Sequence, residues 1–257
     1  MRSRGPAVIA AALAGLLPLM VSTPGHAARN PKIVYLTFDD GPNSMNSPRL
    51  LRVLAREHVP ATFFLVGQSL ALDPEHATRL WLSGHAVGNH TWSHANLTLL
   101  DPLSITQQVR STQRLMGPGG GMCVRPPYGA VNATVSGVLK GMGMRTVMWT
   151  VDPQDWAHQD AAYITGHVLS HVRDRSVVLL HDGGGPRSAT IAAVKELIPQ
   201  LRKRGYEFST VPACRVPFTG YMTDAAVPRA KPQKPVGPAP SPSGTPSGPT
   251  SSPGTGP

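Results

Sequence analysis

Two adjacent carboxylates, Asp39 and Asp40, close the apolar run YLTF and precede a Gly-Pro turn. Like charges so placed repel, and neither has a basic neighbour in the chain, so a partner must come from elsewhere. The segment NHTWSH supplies two imidazoles, His90 and His94, four residues apart. On a helical turn that spacing sets both rings on one face, as chelation of a divalent metal requires. Two histidines and one carboxylate make the ligand set of zinc hydrolases, which keep a fourth position open for water. Neighbours at a strand end point to opposite sides, so one aspartate is expected on the metal and the other against the substrate. We assign Asp40 to the metal and Asp39 to proton abstraction from water, although spacing alone leaves the two interchangeable. A leaving amine needs an acid, and His181, after VVLL, suits that role. Asp155 would then hold the His181 tautomer and Arg125 would pair with Asp39. The backbone N–H of Tyr128, after two prolines, would face an oxyanion. Trp149, Trp156 and Leu179 would supply apolar walls, the tryptophans being equally readable as core. The chemistry is metal-assisted hydrolysis.

Elements must bring these residues together. Strand-like runs at 32–38, 61–66, 85–90, 122–126, 145–151, 176–181 and 206–211 alternate with helical patterns. The helices are expected at 47–58, with Ser47 as cap and Pro48 in the first turn, and near 74–83, 102–116, 132–141, 160–172 and 187–204. That alternation predicts an α/β fold, a parallel sheet of about seven strands with helices outside, open or closed into a barrel. Sites in such folds lie at the carboxyl ends of the strands. Asp39, Asp40, His90, Arg125, Asp155 and His181 all fall at such ends. The histidines at 58, 76, 158, 167 and 171 read as surface residues, and His85 as structural.

The ends of the chain have other compositions. Residues 1–27 carry Arg2 and Arg4, an apolar stretch interrupted by Pro18, and small residues before position 28, the layout of an export signal. No later segment is long and apolar enough to span a bilayer, so an exported protein, secreted or wall-associated, is expected. A globular domain should occupy 28–223. Residues 224–257 contain ten prolines and no large apolar residue beyond Val236, a composition that cannot offset chain entropy by burial. The chain has a net charge of +10. Setting aside Arg2, Arg4, Arg229, Lys231, Lys234 and Asp224 leaves 19 basic and 13 acidic residues in the domain. They are scattered, which argues against nucleic-acid binding and permits a mild attraction to anionic cell-wall polymers. A monomer is expected. The two cysteines, Cys123 and Cys214, favour a disulfide in an exported chain.

TFDDGP (37–42), HTWSH (90–94), RPPYG (125–129), DPQDW (152–156) and LLH (179–181) resemble, in order and spacing, the five motifs of NodB-type polysaccharide deacetylases, carbohydrate esterase family four. The resemblance spans roughly residues 32–211. It implies a distorted (β/α) barrel that removes N- or O-acetyl groups from glycans with a divalent metal, usually zinc, with cobalt as an alternative. By motif, Asp39 resembles the catalytic base, and Asp40, His90 and His94 the metal ligands. Arg125 resembles the partner of the base, His181 the acid, and Asp155 the residue orienting it. Tyr128 matches the oxyanion donor and Leu179 the lining of the acetyl-methyl pocket. An N-deacetylase of peptidoglycan or chitin-type oligomers is the expected function. An acetylxylan esterase and a non-catalytic glycan-binding protein are the alternatives.

Overall fold

The computed structural model describes residues 30–215, so the expected leader, the tail and the outer margins of the domain lie outside the described residues. Strand β1 (Lys32–Gly41) is followed by α1 (Ser47–Arg56), β2 (Thr62–Leu65), a single turn α2 (Gly67–Leu70), α3 (His76–Leu82) and β3 (Ala86–Asn89). Then come α4 (Pro102–Met116), β4 (Gly120–Val124), α5 (Ala133–Gly141), β5 (Arg145–Thr146), α6 (Ala161–His171), β6 (Ser176–His181), α7 (Ser188–Lys203) and β7 (Tyr206–Phe208). All pairings are parallel, in the order β5-β4-β3-β2-β1-β6. Strand β7 pairs with Lys32–Val34 at the start of β1. No helix among the described residues is long and apolar enough to cross a membrane.

Both faces of β1 are covered, which is why it reads as an almost continuous apolar run. Val34, Leu36 and Phe38 pack outward against Leu50 and Leu54 of α1 and Leu197, Ile198 and Leu201 of α7. Tyr35 faces a second cluster inside the sheet, with Phe64, Cys123, Val147 and Cys214. Thr37 and Asp39 continue that inner face toward the carboxyl end of the strand.

The strand expected over 145–151 is broken. Only Arg145 and Thr146 pair with β4, and five residues later Val151 bridges to Val178 of β6. One irregular segment thus crosses from one edge of the sheet to the other and closes a distorted barrel. Its middle lacks ladder partners, and buried carbonyls there need donors. Arg125 supplies them, through Nε to the Val147 carbonyl at 3.2 Å and Nη2 to the Met148 carbonyl at 3.4 Å.

Ser47 does not cap α1. Asn46 holds the capping position, and the Ser47 hydroxyl accepts from the Asn43 N–H at 2.8 Å and donates to Asp182. The hydroxyl ties helix to strand end instead. His76, expected on the surface, is buried as the first residue of α3, with Nδ1 3.4 Å from Asp73 Oδ2.

Cys123 and Cys214 form a disulfide that links β4 to the turn after β7. The bridge closes a loop with a sequence separation of 91. In the chain-entropy model such a loop contributes roughly 4 to 5 kcal/mol. The double substitution Cys123→Ala/Cys214→Ala should lower the urea-unfolding free energy by about that amount. A loss below about 1 kcal/mol would show that the bridge constrains little in the unfolded chain.

Candidate active site

The end of β1 departs from simple alternation. Asp39 pairs with Phe64, and the next pair is Gly41 with Leu65, so Asp40 is an extra residue in the strand. It has a left-handed φ of 71°. A bulge of this kind re-aims a side chain. The two carboxylates therefore do not point to opposite sides, as expected from strand geometry. Both reach the same imidazole, with Asp39 Oδ2 3.7 Å and Asp40 Oδ1 3.4 Å from His90 Nε2. The loop after β6 holds the bulge in place. The N–H groups of Asp182 and Gly183 donate to the Asp39 carbonyl at 3.1 and 3.3 Å. Gly183 lies so close to the Asp40 carbonyl that no Cβ fits there.

His90 and His94 share a loop, not a helical turn. Thr91 and His94 both have left-handed backbones, with φ of 69° and 54°, and the chain folds back so that the ring centroids lie 4.9 Å apart. Polar side chains impose this shape. Buried Asn89 accepts from the Thr91 N–H at 2.8 Å, and Gln108 of α4 accepts from the Trp92 and Ser93 N–H groups at 2.9 Å each. His90 Nδ1 donates to the Arg125 carbonyl at 2.6 Å, which leaves the Nε2 lone pair free. His94 Nδ1 lies 3.2 Å from the Tyr128 hydroxyl, and its Nε2 lies 3.3 Å from Asp40 Oδ1.

Two further pairs flank this triad. Arg125 is fully buried, stacks over the Phe64 ring at 4.1 Å, and donates from Nη1 to Asp39 Oδ1 at 2.7 Å and to Thr37 Oγ1 at 2.9 Å. On the other side His181 Nδ1 donates to Asp155 Oδ1 at 2.6 Å. Asp155 Oδ2 accepts from the His181 N–H at 3.0 Å and from the Thr190 hydroxyl at 2.7 Å. The arrangement fixes the tautomer and leaves His181 Nε2 for the substrate side.

The electrostatics follow from crowding. Burial pushes the Asp40 carboxyl up, but the contact and charge of His90, with the charges of His94 and His181, hold it well below the usual carboxylate range. Burial opposes the protonation of His181, yet the hydrogen bond and charge of Asp155 raise its pKa above the ordinary value. His94 is lowered, by burial first and then by His90. Asp182 is fully buried and is pushed up to about 7, chiefly by burial.

The residues present fit a divalent metal. Asp40 Oδ1 is buried and has no hydrogen-bond partner among the described residues. It and one nitrogen from each of His90 and His94 lie within 4.8 Å of one another. Separations of 3.3 and 3.4 Å from that oxygen to the two Nε2 atoms match the edge of a tetrahedron with bonds of about 2.0–2.1 Å. Two imidazoles with one carboxylate leave one position of such an ion open.

The structure thus brings Asp39, Asp40, His90, His94, Arg125, Asp155 and His181 to one end of the barrel. Leu179 pairs with Thr37 two residues below the Asp39–His181 pair, on the same face. Tyr128 has a left-handed φ of 60° and, like Trp156, is largely exposed beside the cleft. Sequence reasoning missed Thr190, Asn89, Gln108 and Asp182. The first three had no motif to reveal them, whereas Asp182 directly follows His181 and was open to notice.

A distorted parallel barrel carrying a His-His-Asp cluster between an Asp–Arg and a His–Asp pair has the groups of a hydrolase site. The polysaccharide deacetylase family model matches residues 26–147. The chitooligosaccharide deacetylase of Bradyrhizobium sp. (strain ANU 289) is 37% identical over 194 residues, covering 70% of this chain and 89% of that protein. The peptidoglycan-N-acetylglucosamine deacetylase PgdA of Listeria monocytogenes is 36% identical over 199 residues, covering 76% of this chain but 41% of that longer protein. A family 4 carbohydrate esterase from Streptomyces lividans, solved with acetate, superposes with a TM-score of 0.66 at 31% identity, covering 72% of this chain and 96% of that one. The chain belongs to the polysaccharide deacetylase family, carbohydrate esterase family 4, and is a hydrolase.

Proposed function

We propose that this chain is an exported, divalent-metal-dependent deacetylase that hydrolyses the N-acetyl amides of N-acetylglucosamine units in peptidoglycan or chitin-type glycans. The observation that carries the reading is the single cleft in which Asp40, His90 and His94 converge between the Asp39–Arg125 and His181–Asp155 pairs. The names of the relatives favour an amide substrate over an ester. Zinc, when held by the triad, would acidify a coordinated water and polarise the acetyl carbonyl. Asp39 takes the proton of the attacking water, with Arg125 holding its carboxylate in place. The N–H of Tyr128 faces the oxyanion that develops as water adds to the acetyl carbon. His181 delivers a proton from Nε2 to the amine as the C–N bond breaks, which releases acetate, and Leu179 and Trp156 border the acetyl group and sugar. Export rests on residues 1–27, and the disulfide, which persists in oxidising compartments, supports it.

Acetate release from N-acetylglucosamine oligomers, peptidoglycan and acetylxylan, measured side by side with the metal content of the purified protein, tests the proposal. Turnover of the first two with about one zinc per chain is expected. Activity confined to acetylxylan would overturn the amide assignment. A metal-free active protein would overturn the metal.

The acid has its own signature. His181 must be protonated to act, so a raised pKa extends the active range toward alkaline pH. Asp155→Asn removes the charge that raises it. The alkaline limb of kcat should then move to lower pH and the plateau should fall by about 10²-fold or more. An unmoved limb would separate Asp155 from the acid.

A further inference from the structure

At the opposite end of the barrel, where β3 and β4 begin, lies a cavity of about 280 Å³ that the chemistry does not use. Trp81, Gly84, His85, Gly119, Thr210 and Arg215 are among its lining residues. Trp81 is half exposed at 50%, so part of its ring is open to a ligand. Gly119 lies against its base, at a distance where an added Cβ would come within 3.0 Å of the Trp81 Cβ. One side chain in the wall of the cavity is both polar and buried. His85 is more than nine-tenths buried, and its Nδ1 accepts from the Ala61 N–H at 3.1 Å. The ring proton therefore sits on Nε2, and burial, which lowers the His85 pKa to about 4, keeps the ring neutral. Nε2–H has no acceptor among the described residues. The described lining thus combines a neutral imidazole with an aromatic ring, beside a Thr210 hydroxyl that accepts from Arg215 Nε at 2.8 Å, and holds no carboxylate among the described residues.

We propose that this cavity is a second glycan-binding site, which takes an N-acetylhexosamine unit against Trp81 with a carbonyl or hydroxyl oxygen on His85 Nε2–H. The apolar face of a pyranose covers an indole, and its oxygens need directional donors. A space of this size holds about one sugar unit. The proposal rests on the glycan reading of the active site, and the geometry adds a constraint of its own. Strand β3 separates His85 from His90, five residues at about 3.3 Å each, so roughly 16 Å of packed sheet lies between the two sites. A short oligomer in the catalytic cleft does not reach the second site. A polymer network offers other chains to it, and engagement of both sites raises the local concentration of substrate.

The test uses the full chain, loaded with zinc, and compares wild type with Trp81→Ala and Arg215→Glu. Turnover is followed on a soluble N-acetylglucosamine tetramer and on insoluble chitin and peptidoglycan. Retention on both polymers is measured by co-sedimentation, with each variant also carrying Asp39→Asn to prevent turnover. The expected result is about tenfold weaker retention and a raised KM on polymer, with kcat/KM on the tetramer within about twofold of wild type. Equal retention and equal KM on polymer would overturn the second site. So would an equal loss on tetramer and polymer, which would mark a general effect on the fold. Failure of wild type to act on any of the three substrates would instead refute the deacetylase reading, and co-sedimentation would still decide the cavity.

Discussion

Asp39→Asn should lower kcat by about 10³-fold while the protein keeps its full complement of metal. The carboxylate is buried, accepts a 2.7 Å hydrogen bond from Arg125 Nη1, and lies farther from His90 Nε2 than Asp40 does, 3.7 against 3.4 Å. Its first oxygen is committed to the guanidinium, and only the second faces the cleft. Asparagine preserves the volume but cannot accept a proton, so proton removal from water loses its acceptor. Arg125 also donates to Thr37 and to two backbone carbonyls, which keeps its position when Asp39 loses charge. Steady-state kinetics and elemental analysis on the same preparation check the result. Loss of metal from this variant would show that the roles of the two aspartates are exchanged.

His94→Ala should remove both metal and activity. Among the three candidate ligands His94 is the one whose loss the fold tolerates best. Its side chain is 29% exposed, against 3% for His90 and 17% for Asp40. Folding should therefore survive while affinity falls by more than the roughly 100-fold that loss of an outer partner costs. The Asp39–Arg125 and His181–Asp155 pairs do not involve His94, so residual structure around the cleft is retained. Equilibrium dialysis against zinc, with circular dichroism as a control, gives the readout. A metal-replete, active variant would remove His94 from the ligand set.

The identity of Asp39, His90, Arg125 and His181 was open to reading because each ends an apolar run of strand length, and parallel strands deliver their ends to one place. Their geometry was less accessible. Asp39 and Asp40 share a side only because a bulge and a left-handed Asp40 interrupt the alternation. That conformation depends on Gly183, about 140 positions away in sequence. The His90/His94 spacing suggested a helical turn, yet Asn89 and Gln108 shape a loop that achieves the same convergence. Ser47 resembled a cap because helix starts favour serine, but a buried carboxyl at 182 competes for its hydroxyl. The run at 145–151 has strand composition throughout and pairs only at its two ends, since it must cross between different neighbours. Apart from the local Asn89–Thr91 bond, long-range contacts decided each of these.

Arg125 has a consequence for how the enzyme fails. One guanidinium grips both the unpaired middle of the closing segment and the carboxylate of Asp39. The seam of the barrel and the orientation of the reacting group are thereby fastened by the same rivet. Loosening the seam, by heat or by mutation near Val147 and Met148, would misalign Asp39 before the outer helices come apart.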